Sequence, residues 1–172
     1  MKKKRFFAII MLMVALVSVN AALFMEDTHT PVNAAGTQGA SRTMGTEAIM
    51  NTYEQQVFDL VNSKRAEAGL KPLEFKKSAL LTDARVRSVE ASQKWSHTRP
   101  DGTLWYTLDT ANMYSECLAY GYNTAESVVN AWMKSPTHKR ELMRSDLETG
   151  AIGGYIAADG TWYTTFEGGF ID

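Results

Sequence analysis

Gly150-Ala151-Ile152-Gly153-Gly154-Tyr155-Ile156-Ala157-Ala158-Asp159-Gly160-Thr161-Trp162-Tyr163-Thr164-Thr165-Phe166 reads as two strands joined by a tight turn. Ala158-Asp159-Gly160 has the residue chemistry of a hairpin turn, between runs at 150–157 and 161–166. Alternation puts Ile152 and Ile156 on one face of the first strand, and Trp162, Thr164 and Phe166 on one face of the second. A sheet with an apolar face has to cover it, and the chain upstream offers amphipathic helices. Tyr53, Val57, Leu60, Val61 and Ala66 fall at helical spacing from Asn51 onward, with Gly69 as the stop. Lys71-Pro72-Leu73 reads as an extended connector. A second helix is expected from Ser78 to Lys94, with Leu81, Ala84, Val89 and Ala91 on its inner face and Arg85, Arg87 and Lys94 outside. Thr103 to Asp109 reads as a short helix and Met113 to Tyr120 as a strand. Asn123 as N-cap, with Glu126 at the capping-box offset, opens a helix whose inner side is Val128, Val129, Ala131 and Trp132. Ser135-Pro136 breaks it and starts another, with Ser135 as N-cap and His138 in the first turn. Several helices and a late antiparallel sheet make the fold class α+β. There is no internal repeat.

The chain has 172 residues, with 18 basic and 19 acidic side chains. Lys2, Lys3, Lys4 and Arg5 precede an apolar run from Phe6 to Val19, the layout of a secretory signal peptide. Small residues offer cleavage after Ala21 or Ala34; cleavage after Ala34 is favoured because Glu26, Asp27 and Pro31 read as a polar continuation. The apolar run is shorter than the roughly 20 residues that span a bilayer, so an uncleaved anchor is the lesser reading. Residues 1–34 are therefore read as a signal peptide, residues 35–50, poor in apolar side chains, as a flexible linker, and residues 51–172 as one domain. Removing 1–34 takes away four bases and two acids, leaving 14 basic against 17 acidic side chains, a net of −3. No basic patch suggests nucleic acid. Cys117 is the one cysteine, so no intramolecular disulfide can form and the fold must hold by packing.

Three stretches carry chemistry: Ser96-His97-Thr98, Ser115-Glu116-Cys117-Leu118-Ala119, and Ala131-Trp132-Met133-Lys134-Ser135-Pro136-Thr137-His138. Imidazole and carboxylate bind divalent metals and move protons near neutral pH. His97 opens a polar loop, where backbone groups alone could also satisfy it. The helix dipole at the first turn disfavours an imidazolium at His138 and leaves a lone pair for a ligand. Glu116 in an apolar strand needs a partner, whether a histidine, a metal-bound water or backbone N–H groups. Cys117 next to it suggests a thiol nucleophile, but packing as a small buried apolar residue is the better reading, and strand alternation points it away from Glu116. Trp95, Trp105, Trp132 and Trp162 are scattered over separate elements, which favours core packing over a ligand platform. Arg99-Pro100-Asp101-Gly102 matches a type I turn.

In order and spacing these stretches resemble the CAP superfamily, which includes cysteine-rich secretory proteins, venom allergens and pathogenesis-related proteins. The likeness is to its small exported bacterial members. Val57-Phe58-Asp59-Leu60-Val61-Asn62 and Arg65-Ala66 through Leu73 look like the family's opening helix and exit. Ser96 to Gly102 looks like its first histidine loop, and Ser135-Pro136-Thr137-His138-Lys139 like its second histidine motif. The resemblance implies a three-layer α-β-α sandwich, a central antiparallel sheet flanked by helices. It also implies a polar cavity built by His97, Glu116 and His138. The family's Gly-Glu-Asn stands here as Ser115-Glu116-Cys117, and Glu126 is explained by capping, so the set is His-Glu-His.

The function expected is a secreted binding module for an extracellular, cell-envelope or lipophilic ligand. A divalent cation, zinc the most natural, would be held by His97 and His138. The enzymatic alternative is a metal-assisted hydrolase of peptide or cell-wall bonds with Glu116 as general base. Neither His-Glu-x-x-His nor Gly-x-Ser-x-Gly is present, so binding is favoured. A third reading is a non-catalytic envelope or host-interaction protein with structural histidines. The expected state is a monomer that touches the membrane only through the signal segment.

Overall fold

The computed structural model describes residues 34–75 and 79–170; the segment read as a signal peptide lies, but for Ala34, outside them. Helix α1 spans Ala34–Glu67, β1 Glu74–Phe75, α2 Ala79–Gln93, β2 Ser115–Tyr120, α3 Ala125–Lys134, α4 Pro136–Leu142, β3 Thr149–Ile156 and β4 Trp162–Gly169. A 3-10 turn occupies Trp105–Leu108. The four strands are ordered β1-β3-β4-β2. All pairs are antiparallel except β1 with β3, a two-residue strand formed by the end of the extended connector.

The hairpin forms where its residues dictate. Ala157 N–H donates to Thr161 C=O at 2.8 Å, Gly160 takes a positive φ of 84°, and the Asp159 carboxylate accepts from Thr161 N–H at 2.9 Å. Ile152, Ile156, Trp162 and Phe166 share one face and pack against Tyr53, Val57 and Val61 of α1 and Val128, Val129 and Trp132 of α3. The other face carries Ala151, Gly153 and Thr165 and lies under α2. The sheet is thus covered on both sides, α1, α3 and α4 against one face and α2 against the other: an α+β, three-layer α-β-α sandwich.

Three local signals behave as read. The exit of α1 is a Schellman turn: Leu70 N–H bonds Arg65 C=O and Gly69 N–H bonds Ala66 C=O, both at 2.9 Å, with Gly69 at φ 73°. Gly102 N–H closes the type I turn on Arg99 C=O at 3.0 Å. Pro136 is the first residue of α4, with Ser135 before it and His138 in its first turn.

Several expectations need correcting. Helix α1 begins at Ala34, not Asn51, so the stretch read as a linker is helical. Its residues 45–49 are exposed and the next, Met50, is buried. The periodicity tracks burial, whereas helix propagates cheaply beyond a packed nucleus. The N-cap of α3 is Thr124, whose hydroxyl accepts from Ser127 N–H at 3.2 Å; Asn123 and the exposed Glu126 do not form the capping box. Ser135 sits at the N-cap of α4, yet its hydroxyl bonds Thr137 rather than the backbone. Trp132 is core, but Trp95 is half-exposed. Arg87, expected outside α2, is fully buried on its inner face with Leu80, Ala84, Ser88 and Ala91.

Arg87 is buried because α2 lies very close to the sheet. A Cβ on Gly153 would sit 2.1 Å from the backbone carbon of Ala84. Ser88 Oγ is within 2.9 Å of Gly153 C=O and 3.0 Å of Thr165 Oγ1. A second buried arginine fixes the opposite layer. Arg65 donates to the carbonyls of Lys71 (3.0 Å), Leu142 (2.8 Å), Arg144 (2.8 Å) and Leu147 (3.4 Å), tying the end of α4 to α1. Because the clash at Gly153 is with backbone, Gly153→Ala is expected to lower stability by at least the about 1–3 kcal/mol typical of overpacking. Urea denaturation measures it; a midpoint equal to that of the parent protein would refute the close approach.

Candidate functional site

The chemistry gathers at β2, the strand at one edge of the sheet. In its register with β4, Glu116 faces Glu167 and Cys117 faces Phe166, so alternation sends Glu116 toward α2 and Cys117 into the core on the other side. The side chain of Glu116 is 1% exposed, and both its oxygens are engaged. Oε2 accepts from Arg87 Nε at 2.7 Å and Oε1 meets His97 Nδ1 at 2.6 Å. A carboxylate oxygen requires the Nδ1 proton, so in the neutral imidazole this contact fixes the tautomer and puts the lone pair on Nε2.

Arg87 uses its remaining donors on the loop after α2 and on α2 itself. Nη2 bonds Ser96 C=O at 3.0 Å and Nη1 bonds Glu90 at 2.6 Å; Glu90 in turn takes Arg99 at 2.7 Å. Arg99, Glu90, Arg87, Glu116 and His97 thus form one chain of alternating charge that pins residues 96–99. Burial alone would raise the Glu90 carboxyl; the hydrogen bonds from Arg99 and Arg87 outweigh it and hold Glu90 below its ordinary value.

His138 reaches the same edge from α4. Burial, and then the nearby charge of His97, lower its pKa, so it is neutral at pH 7. It lines a groove of about 620 Å³ that follows residues 118–122, with Trp95 on one side and Ala131, Trp132 and Ser135 on the other. Trp95 and Tyr120 are 50% and 53% exposed, their ring centroids 4.7 Å apart, and Tyr163 stacks on Tyr120 at 6.0 Å. The structure therefore joins His97 to Glu116 directly and sets His138 beside the groove at the same strand edge.

The donor set does not fit a resident zinc ion. Among the described residues no group of three or more His, Cys, Asp or Glu side chains could hold a metal. With both Glu116 oxygens engaged, a cation would find two imidazole nitrogens at most, whereas zinc sites take three or four protein ligands. Cys117 is buried, with Sγ 3.7 Å from His138 C=O; burial first, and then Glu141, Glu167 and Glu116, push its thiol well above the ordinary value. A thiol so placed is no nucleophile at neutral pH.

Arg87, Glu90, Trp95, Tyr120 and Glu167 are absent from the sequence-derived set. Glu167 is fully buried and neither of its oxygens meets a donor in the described residues. Burial, and then the charge of Glu116 across the strands, raise its pKa well above 4.5. It is held as the protonated acid. Its signal in the sequence is parity: one residue past Phe166 it must face α2.

The model of the cysteine-rich secretory protein family, CAP, matches residues 58–166. This chain belongs to the CAP family. It is 27% identical over 150 residues to "Uncharacterized protein YkwD" of Bacillus subtilis (strain 168), covering 83% of this chain and 58% of that protein. The CAP chain thus spans little more than half the length of that relative. Among solved structures it is similar to an outer surface protein of Borrelia burgdorferi, with a TM-score of 0.56 and 26% identity over 67% of this chain and 90% of that one. It shares its fold with an extracellular SCP-domain protein of Bacillus anthracis str. Ames, with a TM-score of 0.58 and 22% identity over 69% of this chain and 41% of that one.

Two outcomes follow from the buried charges. Glu116→Ala takes from Arg87 its fully buried partner and leaves it Glu90 alone, and is expected to cost about 3–5 kcal/mol, while the double variant Arg87→Met, Glu116→Leu recovers most of it. Chemical denaturation of all three variants checks this, and a double variant as unstable as Glu116→Ala would refute it. The second concerns pH. With a folded pKa above the unfolded one, Glu167 contributes stability that is complete below about pH 4.5 and falls as pH rises toward the folded value. Glu167→Gln removes that fall. Stability measured from pH 4.5 to 8 is expected to decline more steeply in the parent protein than in the variant; parallel curves would show Glu167 to be ionised when folded.

Proposed function

We propose that this CAP-family chain is an extracellular binding module that holds its ligand in the groove along β2, with the neutral His138 as a polar contact; His97, oriented by Glu116, is not among the groove's lining residues. The observation that carries this reading is the pair of half-exposed aromatic rings, Trp95 and Tyr120, at the mouth of a groove of about 620 Å³. Aromatic side chains with a polar tip suit a surface that is dry when occupied and wet when free. The amino-terminal Lys-Arg and apolar run supports export, as do the outer surface and extracellular names of the structural relatives.

A hydrolytic reading has one observation in its favour, the short His97–Glu116 contact. In that reading His97 Nε2, not Glu116, is the general base toward a water, because Glu116 has no free oxygen. A divalent cation between the two histidines is the weakest version, for want of ligands.

The test maps amide and Trp side-chain resonances of the full chain against zinc chloride, muropeptides, phosphatidylcholine–phosphatidylglycerol vesicles and short peptides, each alone. Shifts are expected to cluster at Trp95, Tyr120, Tyr122 and His138 for at least one organic class. Trp95→Ala should weaken that binding by about tenfold or more, as truncating an interface aromatic does. Shifts that avoid the groove for every probe would overturn the proposal. Release of soluble products from peptidoglycan or casein, lost in His97→Ala, would replace it with the hydrolase.

A further inference from the structure

The groove floor is the free edge of a β-strand, and the hydrogen bonds of the sheet show which way that edge faces. In an antiparallel ladder successive residues turn their N–H and C=O alternately toward and away from the neighbour. Gly121 N–H donates to Trp162 C=O at 2.8 Å, one rung beyond the Tyr120–Tyr163 pair. By this alternation Ala119 and Cys117 turn inward to Thr164 and Phe166, while Leu118 and Tyr120 turn outward. The far side of β4 agrees. Ala157 N–H donates to Thr161 C=O, which gives the odd-numbered residues of β4 to β3 and leaves Thr164 and Phe166 for β2. Trp132 Nε1 confirms the outward direction by donating to Leu118 C=O at 3.3 Å.

That indole satisfies one outward group. The Leu118 N–H and the N–H and C=O of Tyr120 have no partner among the described residues. They lie along the groove that Trp95 flanks on one side and Ser135 and His138 on the other. An unpaired strand edge is a template for another strand, and proteins usually cover, shorten or charge it. Here it is covered at the Leu118 carbonyl by the Trp132 indole and exposed at Tyr120.

We propose that the groove takes an extended polypeptide segment, added to the sheet as a fifth strand beside β2 through the outward groups of Leu118 and Tyr120. This rests on the groove being the binding site. Donors and acceptors two residues apart on one edge match the repeat of an extended backbone. A lipid would leave them unpaired, and a sugar has no matching repeat. Alternate side chains of the added strand fall on opposite sides. One set meets the Trp95–Tyr120 rings and selects an apolar or aromatic residue; the other meets Ser135 and His138 and selects a small or polar one.

The probe is a heptapeptide selected from a random displayed library on the immobilised full chain, then synthesised with acetylated and amidated ends. A copy N-methylated at alternate residues keeps its side chains and loses its donors. The expected result is a downfield shift and slowed exchange of the Leu118 and Tyr120 amides, with the N-methylated copy about tenfold weaker, the upper end of one net hydrogen bond. Tyr120→Pro should bind about tenfold more weakly than Tyr120→Ala by the same measure. Both lose the ring, only proline loses the outward N–H, and an edge strand accepts proline at such a position. If Tyr120→Pro does not fold, the two peptides still decide. Equal binding of both with shifts confined to Trp95 and His138 would overturn strand addition and leave the groove reading standing. Recovery of no peptide, while muropeptides or vesicles perturb the groove, would overturn it in the same way. If no probe of any class perturbs the groove, both readings fall.

Discussion

An ion pair sealed between a helix and a sheet governs this molecule. Arg87 and Glu116 meet at 2.7 Å with side chains almost wholly removed from solvent. Neither charge can be left alone there, since an uncompensated buried ion costs several kcal/mol or more. The helix must therefore stay close enough to deliver the guanidinium, and Gly153, Ser88 and Thr165 supply the small, hydrogen-bonded contact that permits it. The same guanidinium holds Ser96 C=O, so the loop that carries His97 is placed by the packing of α2. Fold and site share one constraint: loosening α2 would free His97 and expose Glu116 together.

The two sides of the groove have different supports. His138 sits on a short helix whose last residue, Leu142, gives its carbonyl to the buried Arg65, as do Arg144 and Leu147 just beyond it. Trp95 and His97 sit on the loop that leaves α2, held by side-chain charges and by a short backbone bridge, Trp105 N–H to His97 C=O at 3.1 Å and Arg99 N–H to Thr103 C=O at 2.9 Å. Backbone carbonyls on a buried arginine are rigid acceptors, whereas the Arg99–Glu90 link is partly exposed to water and salt. Between the two lies β2, joined to the sheet along one side alone.

A feature is legible in the amino-acid sequence when its cause is local. The 158–160 turn, the Gly69 stop and the Ser135-Pro136 break follow from the chemistry of a few adjacent residues, and each stands where the residues put it. Arg87 does not yield to the same reasoning. An arginine on an amphipathic helix is placed in water by any periodicity rule, and its burial follows from a carboxylate 29 residues away. Glu167 and Trp95 fail for the same reason, since one is explained by a strand partner and the other by a groove. Glu116 is recognisable as needing a partner, and His97 as a candidate, but their contact rests on motif resemblance alone until the fold is known. Helix α1 errs in the opposite sense: residues 34–49 show no periodicity that would mark them as helix, yet the backbone continues as helix through them.

The lone thiol sets the chemical conditions under which the domain can persist. Cys117 is enclosed by Phe166, Trp132 and Leu142 in the main core, and no crosslink contributes to holding the layers together. Reductants thus have no disulfide to cleave, and the thiol is shielded from oxidants while the domain is folded. Maturation of the domain needs no disulfide-forming catalyst.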